Sequence, residues 1–396
     1  MKKITTKIAS LSLVLSAIFW FSGCGDEATT PPVATTTLTG VVADGYLVGA
    51  KVCLDKNYND VCDDGEPFVL TDSTGKYTFT LPEMSATQLP ILVEADENTI
   101  DLDTNTKIGT KWYFKANSSN SSFISPLSTL VAQAMALDPT LTTEQAMANL
   151  QSELGIDINT TIDYVAANNT KAHNAAKIIA HSLANTQIRL SALSTTDMRT
   201  IRLLAAQQVR SQTAAIQANA IDGNISYLCD VNTTDVPAQI TALTTSLSSL
   251  LSSDLQADLL FMWEEERLAR DVYNAMYAKW GSKIFTNIAT NGEQTHINSI
   301  KSMIDKYAVS TTEYPVVAIA GVFINQDLQS LYNALVAKGN VSVTEAYKVG
   351  QLIEITDIAD LDKRLLPTDL PADIRAVYEN LRKGSESHLA AFNKQL

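Results

Sequence analysis

The period with which apolar and polar residues alternate changes along the chain, and these changes predict three folded parts. In residues 38–115, short apolar runs alternate with turn signals such as Asp44-Gly45, which is typical of strands in a small β-sandwich. Predicted strands are Leu38–Val42, Lys51–Leu54, Phe68–Thr71, Tyr77–Leu81 and Ile91–Glu94. Residues 116–252 open with a polar linker, 116–122, and then follow a helical period, as do residues 254–396. We therefore expect a multidomain chain with a small N-terminal β-sandwich, an all-α middle region and a C-terminal helical bundle.

The middle region is rich in Ala, Thr, Ser and Leu and carries several helix boundary signals. Pro126 fits the first turn of a helix, where its missing N–H costs nothing, and Gly155 ends a short helix that begins near Thr142. Longer helices are predicted at 170–192, 196–220 and 235–252. The sequence does not indicate what residues 116–252 do, and a spacer or docking platform is the modest interpretation.

Four helices predicted in residues 254–396 interrupt their apolar stripes with acidic or histidine residues. Glu266 falls on the first stripe, between Trp263 and Ala269, whereas Glu264 and Glu265 fall off it. The interrupting residues are Glu266 in the first helix, Glu293 and His296 in the second, Glu354 and Asp357 in the third, and His388 in the fourth. A lone buried histidine is more often a satisfied core residue, but four coincident interruptions favour a shared site.

The types of these residues indicate a metal site. Buried carboxylates are costly unless they are paired or bind a metal. Carboxylate oxygens with imidazole nitrogens suit Fe and Mn, and also Zn. Ferritin-like bundles hold two iron or manganese ions with Glu residues and E-x-x-H pairs on facing helices. We expect one or two Fe or Mn ions, with Glu293 or Glu354 bridging them if there are two.

The same residues lie in motifs that resemble known families. The first helix is similar to the E-x-x-A-R-x-x-Y motif of rubrerythrins, and the wider pattern resembles a ferritin-like family known as domain of unknown function 2202. The motifs are Glu264-Glu265-Glu266-Arg267-Leu268-Ala269-Arg270-Asp271-Val272-Tyr273, Glu293-Gln294-Thr295-His296, Ile353-Glu354-Ile355-Thr356-Asp357-Ile358-Ala359-Asp360-Leu361 and Gly384-Ser385-Glu386-Ser387-His388-Leu389-Ala390-Ala391-Phe392. The resemblance covers about residues 254–396 and implies a ferritin-like four-helix bundle, whereas the family's activity is not settled.

Two positions depart from a rubrerythrin-type site. The third helix offers Asp357 where a second Glu or a His is expected, and Ser385 stands three residues before His388, where an E-x-x-H pair has Glu. The ligand set therefore suits two metals held asymmetrically, or one. Tyr273, one helical face along from Glu266, is a candidate to support the ligands.

The N-terminus is predicted to be a targeting segment. Residues 1–23 combine lysines with an apolar stretch and end before Cys24 in a sequence similar to a bacterial lipoprotein box. An ordinary cleavable signal and an uncleaved anchor are the alternatives. Residues 24–37 are a polar tether, so we expect a lipid anchor in the bacterial cell envelope, at the outer membrane or cell surface, with the leaflet left open. The net charge of −14 argues against a nucleic acid partner.

An acidic loop in the β-rich part is a candidate calcium site. Oxygen donors stand at the spacing of an EF-hand loop, at Asp55, Asn57, Asn59, Asp63 and Glu66. The loop resembles the calcium loops of bacterial surface β-sandwich repeats, and Thr71 to Phe79 is similar to a hairpin of carboxypeptidase-regulatory-like domains. A solvated surface loop is an equally favoured interpretation. Cys53 and Cys62 are a candidate disulfide, because export exposes them to an oxidising compartment.

These patterns lead to one leading hypothesis and two alternatives. The leading hypothesis is an exported, lipid-anchored metal protein that carries out redox chemistry with O₂ or peroxide, such as Fe²⁺ oxidation. Since the sequence has no C-x-x-C pair for a rubredoxin-type centre, a peroxidase would need an unknown external electron donor. The first alternative is a surface adhesion or interaction protein, with a structural metal or none and an unknown protein partner. The second is simple metal buffering.

Overall fold

The computed structural model describes residues 35–56, 58–82, 89–117, 121–158, 163–314 and 319–396. Cys24 and the predicted signal peptide lie outside the described residues, as does Asn57 of the predicted calcium loop. Within these ranges, a β region precedes a long series of helices.

The N-terminal part is a β region made of small sheets. Its strands are β1 (Thr35–Val42), β2 (Leu47–Val48), β3 (Lys51–Leu54), β4 (Phe68–Leu70), β5 (Lys76–Pro82), β6 (Ile91–Ala95), β7 (Ile100–Asp101), β8 (Thr106–Lys107), β9 (Trp112–Ala116) and β10 (Phe123–Ile124). They form three sheets with the strand orders β10-β1-β5, β2-β7-β8 and β4-β3-β6-β9. Strand β10 pairs with β1 in parallel, and the other pairs are antiparallel.

Two strands that the sequence pattern did not predict tie the β region to the helices that follow. Strand β9 consists of Trp112 to Ala116 and is buried along its whole length, so it lacks the alternation that marks a half-exposed strand. Strand β10 lies after the expected linker, yet Val41 of β1 pairs with Phe123. The chain therefore returns to the sheet once more before its first helix begins.

The middle region is helical, as predicted, with one break more than expected. Its helices are α1 (Pro126–Leu137), α2 (Thr143–Leu154), α3 (Thr170–Ser191), α4 (Met198–Arg210), α5 (Thr213–Asp222) and α6 (Val236–Ser248). The single helix expected over 196–220 is divided into α4 and α5. At the break, Ser211 donates to the carbonyl of Gln208, and Gln212 donates to that of Asp230. The Ser211 bond to a nearby carbonyl competes with the helical ladder, whereas the Gln212 bond reaches a carbonyl eighteen residues away.

The C-terminal part is formed by long helices with clear boundary signals. Its helices are α7 (Ser253–Trp280), α8 (Lys283–Asn287), α9 (Gln294–Lys306), α10 (Gln326–Gly339), α11 (Val343–Arg364) and α12 (Ala372–Asn393), with a π-helical turn (Ile288–Glu293) between α8 and α9. Ser252 caps the start of α7 by accepting from the N–H of Leu255, and Gly281 ends it with a left-handed φ of 67°. None of the helices in the described ranges has both the length and the apolar composition needed to cross a membrane.

The core of the C-terminal helices is split into two apolar clusters. One cluster includes Val272, Phe285 and Phe392, and the other includes Ile304 and Leu381. Each of α7, α11 and α12 contributes one half to the first cluster and the other half to the second. The π turn belongs to the first cluster, and α9, which follows it, belongs to the second. The residues at the points where the two clusters meet form a polar layer inside the protein.

Candidate metal centre

The six predicted ligands lie in the polar layer between the two apolar clusters. Helix α7 contributes Glu266, the π turn contributes Glu293, α9 contributes His296, α11 contributes Glu354 and Asp357, and α12 contributes His388. Five of the six are buried, and His388 is partly exposed. The side chains thus lie on the inner faces of their helices, where the apolar periodicity predicted them.

Two histidines and three carboxylates converge in the middle of this layer. The Nδ1 atom of His296 lies 3.1 Å from Glu266 Oε2 and 3.5 Å from Glu293 Oε2. The Nδ1 atom of His388 lies 3.1 Å from Glu293 Oε1 and 3.5 Å from Glu354 Oε2. Glu293 thus stands between the two rings, whose centroids are 5.3 Å apart. One ligand-type atom from each of Glu293, His296 and His388 lies within 4.8 Å of the other two, a spacing that a single cation bridges.

Several polar atoms of the layer have no hydrogen-bond partner among the described residues. They are Glu266 Oε1, Glu293 Oε1, Asp357 Oδ1 and His388 Nδ1. The 3.1 Å contact between Glu293 and His388 is therefore a charge contact and not an aligned hydrogen bond. Buried polar groups normally find a partner, because leaving one unpaired costs free energy. A cation among these atoms satisfies them, so the donor set fits a metal.

Neighbouring hydroxyl groups hold two of the carboxylates. Tyr273, which is fully buried, donates to Glu354 Oε1 at 2.6 Å. Ser385, at the position where an E-x-x-H pair has Glu, forms a short hydrogen bond with Asp357 Oδ2 and also donates to the carbonyl of Leu381. Asp357 thus lies at the edge of the layer and is not part of the three-residue cluster, so the site is asymmetric.

Burial and close charges shift the pKa values in this layer in opposite directions. Burial raises the pKa of Glu266 to about 8, although His296 opposes the shift. Burial, together with Glu293, raises the pKa of Glu354 to about 7. Burial disfavours the charged form of Glu293 too, but its contacts with the two histidines outweigh this and lower its pKa to about 2. Burial lowers the pKa of His388, yet Glu293 and Glu354 outweigh it and raise the value to about 9. At neutral pH these shifts favour a neutral Glu266 beside an oppositely charged Glu293 and His388.

Two helical glycines that the sequence reasoning did not single out make room for the histidine rings. A Cβ atom on Gly384 of α12 would lie 2.2 Å from Nε2 of His296, and one on Gly292 of the π turn would lie 2.2 Å from Nε2 of His388. Each ring therefore rests on the backbone of the opposite helix. Glycine inside a helix is unfavourable by about 1 kcal/mol relative to alanine. A glycine within a predicted helix is therefore the sequence feature that could have identified these two positions.

The π-helical turn also escaped sequence reasoning, which expected a continuous helix. It ends at Glu293, and His296 follows in the first turn of α9. One-turn π segments within helices occur frequently at functional sites. Here the turn lies directly before the Glu293 and His296 pair.

Glu264 is off the apolar stripe, as expected, but it is buried for a different reason. Its carboxylate accepts hydrogen bonds from the backbone N–H groups of Ile324 and Asn325, at 2.7 and 2.9 Å, just before the start of α10. An acidic group is favoured at a helix N-terminus by the helix dipole. Glu264 is thus a structural carboxylate next to the centre. Glu265, which also falls off the stripe, is partly buried.

The predicted calcium loop is held together by hydrogen bonds within the loop. Asp55 accepts from the N–H groups of Asn59 and Asp60, Asn59 donates to Asp63, and Glu66 accepts from the N–H groups of Lys56 and Asp63. Among the described residues, its acidic side chains do not form a cluster with the spacing of a metal site.

Cys53 and Cys62, at the start of this loop and within it, are joined by a disulfide bond with a Cα separation of 5.8 Å. Cys229 is free and buried.

Comparison with known proteins matches the helices that carry the centre. A family model described as an uncharacterized protein domain, DUF2202, matches residues 256–396. The uncharacterized protein MJ0754 of Methanocaldococcus jannaschii is 48% identical over 139 residues, which are 35% of this chain and 72% of the relative. A crystal structure of hypothetical protein MJ0754 from Methanococcus jannaschii has 46% sequence identity and covers 37% of this chain and 81% of its own, with a TM-score of 0.35. The chain therefore belongs, through its C-terminal residues, to the DUF2202 family.

Proposed function

We propose that α7, α9, α11 and α12 form a ferritin-like four-helix bundle that holds one or two Fe or Mn ions and uses them in redox chemistry with O₂ or peroxide. The observation that carries this proposal is the convergence of Glu293, His296 and His388 between two apolar clusters. Mixed carboxylate and imidazole donors suit these metals. Carboxylates on facing helices with an E-x-x-H pair match the way such bundles bind metal.

The chain's own residues fall into distinct roles around such a metal. Glu293, His296 and His388 would be the inner ligands, and Glu266 and Glu354 would complete the set from either side, since each lies next to one histidine. Tyr273 would fix the orientation of Glu354 through its hydrogen bond. When bound, the metal would supply one-electron redox chemistry. The apolar clusters on both sides would keep bulk water out of the layer.

The asymmetry of the layer favours one tight position and a weaker second one. Glu293 contacts both histidines, so the first ion would lie near it. A second ion would need Asp357, which already bonds Ser385 and whose pKa is raised well above its usual range by burial and by Glu266. Because this carboxylate must lose a proton before it can bind metal, occupancy of the second position would be lower.

We also propose that the protein is exported and anchored in the cell envelope by a lipid on Cys24. Support comes from the lysines, apolar stretch and lipoprotein-like box of residues 1–24. In this setting the β region and the middle helices would hold the metal centre away from the membrane. An interaction protein without metal chemistry is the competing function, and metal analysis separates the two.

The test is the metal content of the full chain purified without chelator, compared with a Glu293→Gln/His296→Gln double variant. The matched control is Glu386→Gln, on the exposed face of α12 two residues from His388. One to two Fe or Mn ions per chain in the wild type and the control, lost in the double variant, together with metal-dependent O₂ consumption on adding Fe²⁺, would support the proposal. Bound metal without O₂ or peroxide turnover would overturn the redox part. No bound metal after reconstitution would overturn the whole proposal and leave the interaction protein.

A further inference from the structure

A cavity with charged and apolar walls lies far from the candidate metal centre, where the β region and the middle helices meet the ends of α9 and α12. Its volume is about 340 Å³, and its lining includes Tyr58, Lys115, Met135, Arg199, Lys306 and Asp373. Small-molecule sites in proteins typically occupy about 300–1,000 Å³. The cavity therefore has the size of a small-ligand site.

The positions of the lining residues separate the cavity from the centre. Lys306 is ten residues after His296 on α9, and Asp373 is fifteen residues before His388 on α12. With a rise of 1.5 Å per residue, these spacings correspond to roughly 15 and 22 Å along the two helices. The cavity is thus at the opposite ends of the helices and shares no residue with the metal layer.

The cavity is positively charged in a chain whose net charge is −14. Three cationic side chains line it: Lys115, Arg199 and Lys306. Lys115 pairs with the buried Asp60, and Lys306 pairs with Asp373. Two of the three cations thus form a direct ion pair with a carboxylate, and Arg199 is the third.

Arg199 is the cation of the three that lacks a direct ion pair among the described residues; its charge also acts on Asp60, whose pKa it helps to lower. It is only 3% exposed, and within the described ranges its guanidinium forms no ion pair. Its one hydrogen bond among these residues runs from Nη1 to the backbone carbonyl of Lys306, at 3.0 Å. A buried guanidinium without an anion in direct contact is costly, because a charge taken out of water needs compensation. Arg199 therefore has donors left for a ligand on the cavity side.

Apart from Asn117 and Asp373, the rest of the lining is apolar or aromatic. Leu89, Pro90, Met135 and Pro139 contribute apolar surface. The Lys306 ammonium lies 5.5 Å from the centre of the Tyr58 ring, so the aromatic wall stands directly beside the charged end. A ligand that fits this lining has one anionic group and an apolar body.

We propose that this cavity binds a small organic monoanion, namely a carboxylate with an apolar body, whose carboxylate pairs with Arg199. Arginine suits this role because its planar guanidinium binds a carboxylate with two parallel hydrogen bonds. Because Arg199 is the one cation of the lining without a direct ion pair among the described residues, the lining favours a monoanion over a dianion such as phosphate. The ligand would contact the β region, α4 and the ends of α9 and α12 at once, and would stabilise the chain by holding these parts together.

The test is a binding titration of the full chain with benzoate and hexanoate, by calorimetry and by thermal unfolding. Benzamide and hexanamide have the same bodies without the charge, acetate has the charge without the body, and inorganic phosphate is the dianion. The variants are Arg199→Met, which removes the charge, and Ala136→Trp, which fills the cavity from its wall. The control is Arg189→Met, at an exposed position on α3.

The expected result is saturable binding of benzoate or hexanoate at least tenfold tighter than binding of the matching amide, acetate or phosphate. Both cavity variants should weaken it at least tenfold, whereas Arg189→Met and the metal content should stay unchanged. Equal binding of carboxylate and amide would overturn the proposal, as would tighter binding of phosphate or no binding of either carboxylate. If Arg199→Met does not fold, the carboxylate-to-amide comparison and Ala136→Trp still decide the question.

Discussion

Replacing Gly384 by alanine places a methyl group where the His296 ring now lies. The new Cβ would be 2.2 Å from Nε2 of His296, whereas ordinary contacts begin at 3.4 Å, so the ring has to move by about 1.2 Å. Metal–ligand distances in a real site hold to within about 0.2 Å. A shift of this size therefore removes His296 as a ligand without changing any donor atom. We expect metal affinity to fall by about 10- to 100-fold, the range found for residues that orient ligands.

The effect of Gly384→Ala on stability separates this loss from simple unfolding. Alanine is favoured over glycine inside a helix by about 1 kcal/mol, and this gain offsets part of the cost of moving the ring. The metal-free variant should then unfold within about 1 kcal/mol of wild type. The defect should appear only when metal is added, as a smaller increase in Tm.

Gly339→Ala is the matched control, because its Cβ would meet Met276 Sδ at 2.3 Å, a similar overlap away from the metal layer. Methionine is flexible and can move aside, so this variant should bind metal like wild type. The assay is competitive titration with Mn²⁺, read against an indicator, with metal analysis of the purified proteins. Equal affinity and stoichiometry for Gly384→Ala and Gly339→Ala would refute the idea that the glycine positions the ring.

Three further predictions concern the protons and hydrogen bonds around the centre. Because the pKa values of Glu266 and His388 are raised to about 8 and about 9 from 4.5 and 6.5, the folded metal-free chain binds more protons than the unfolded one. The stability of the metal-free chain should thus fall as the pH rises from 5 to 9, and its metal affinity should rise over the same range. Denaturant titrations in which the stability of the metal-free chain rises over this range would contradict the prediction. Tyr273→Phe removes the hydrogen bond to Glu354 and should cost the metal-free chain about 1–3 kcal/mol, measured in urea; an unchanged midpoint would show that the bond contributes nothing. Glu264→Gln weakens the cap before α10 and should cost about 2 kcal/mol without loss of bound metal, so metal loss in this variant would mean that Glu264 is a ligand.

The sequence predicted the inner faces of the C-terminal helices well, because each carries a long apolar stripe that only a few polar residues interrupt. Glu266 and His388 could be placed by periodicity alone. Periodicity cannot report the side-chain contacts that decide which carboxylates approach which histidine. It also could not show that Glu293 contacts both rings, since the contact with His388 joins two elements that are far apart in the sequence.

The β region shows where a local pattern stops being informative. Strand β3 was predicted with its observed bounds, since Lys51 to Leu54 is a short apolar run after a turn. Strand β9 was not, because burial on both faces removes the alternation by which a strand is recognised. The break between α4 and α5 involves two hydrogen bonds between Gln212 and Asp230, one donated by each residue. Asp230 is eighteen residues away, and no local window contains that contact.

If the proposed metal binds, the polar layer would link its binding to the stability of the whole helical part. Its carboxylates stand where the two apolar clusters would otherwise join, so the chain gives up apolar contacts at the middle of four helices. In the metal-free state, protons on Glu266 and Glu354 limit the charge that is buried there. A divalent ion can replace these protons and satisfy the unpaired oxygens of Glu266 and Glu293 at the same time. Binding free energy at such a site is also folding free energy, so the increase in stability on loading should be larger at pH 8 than at pH 6.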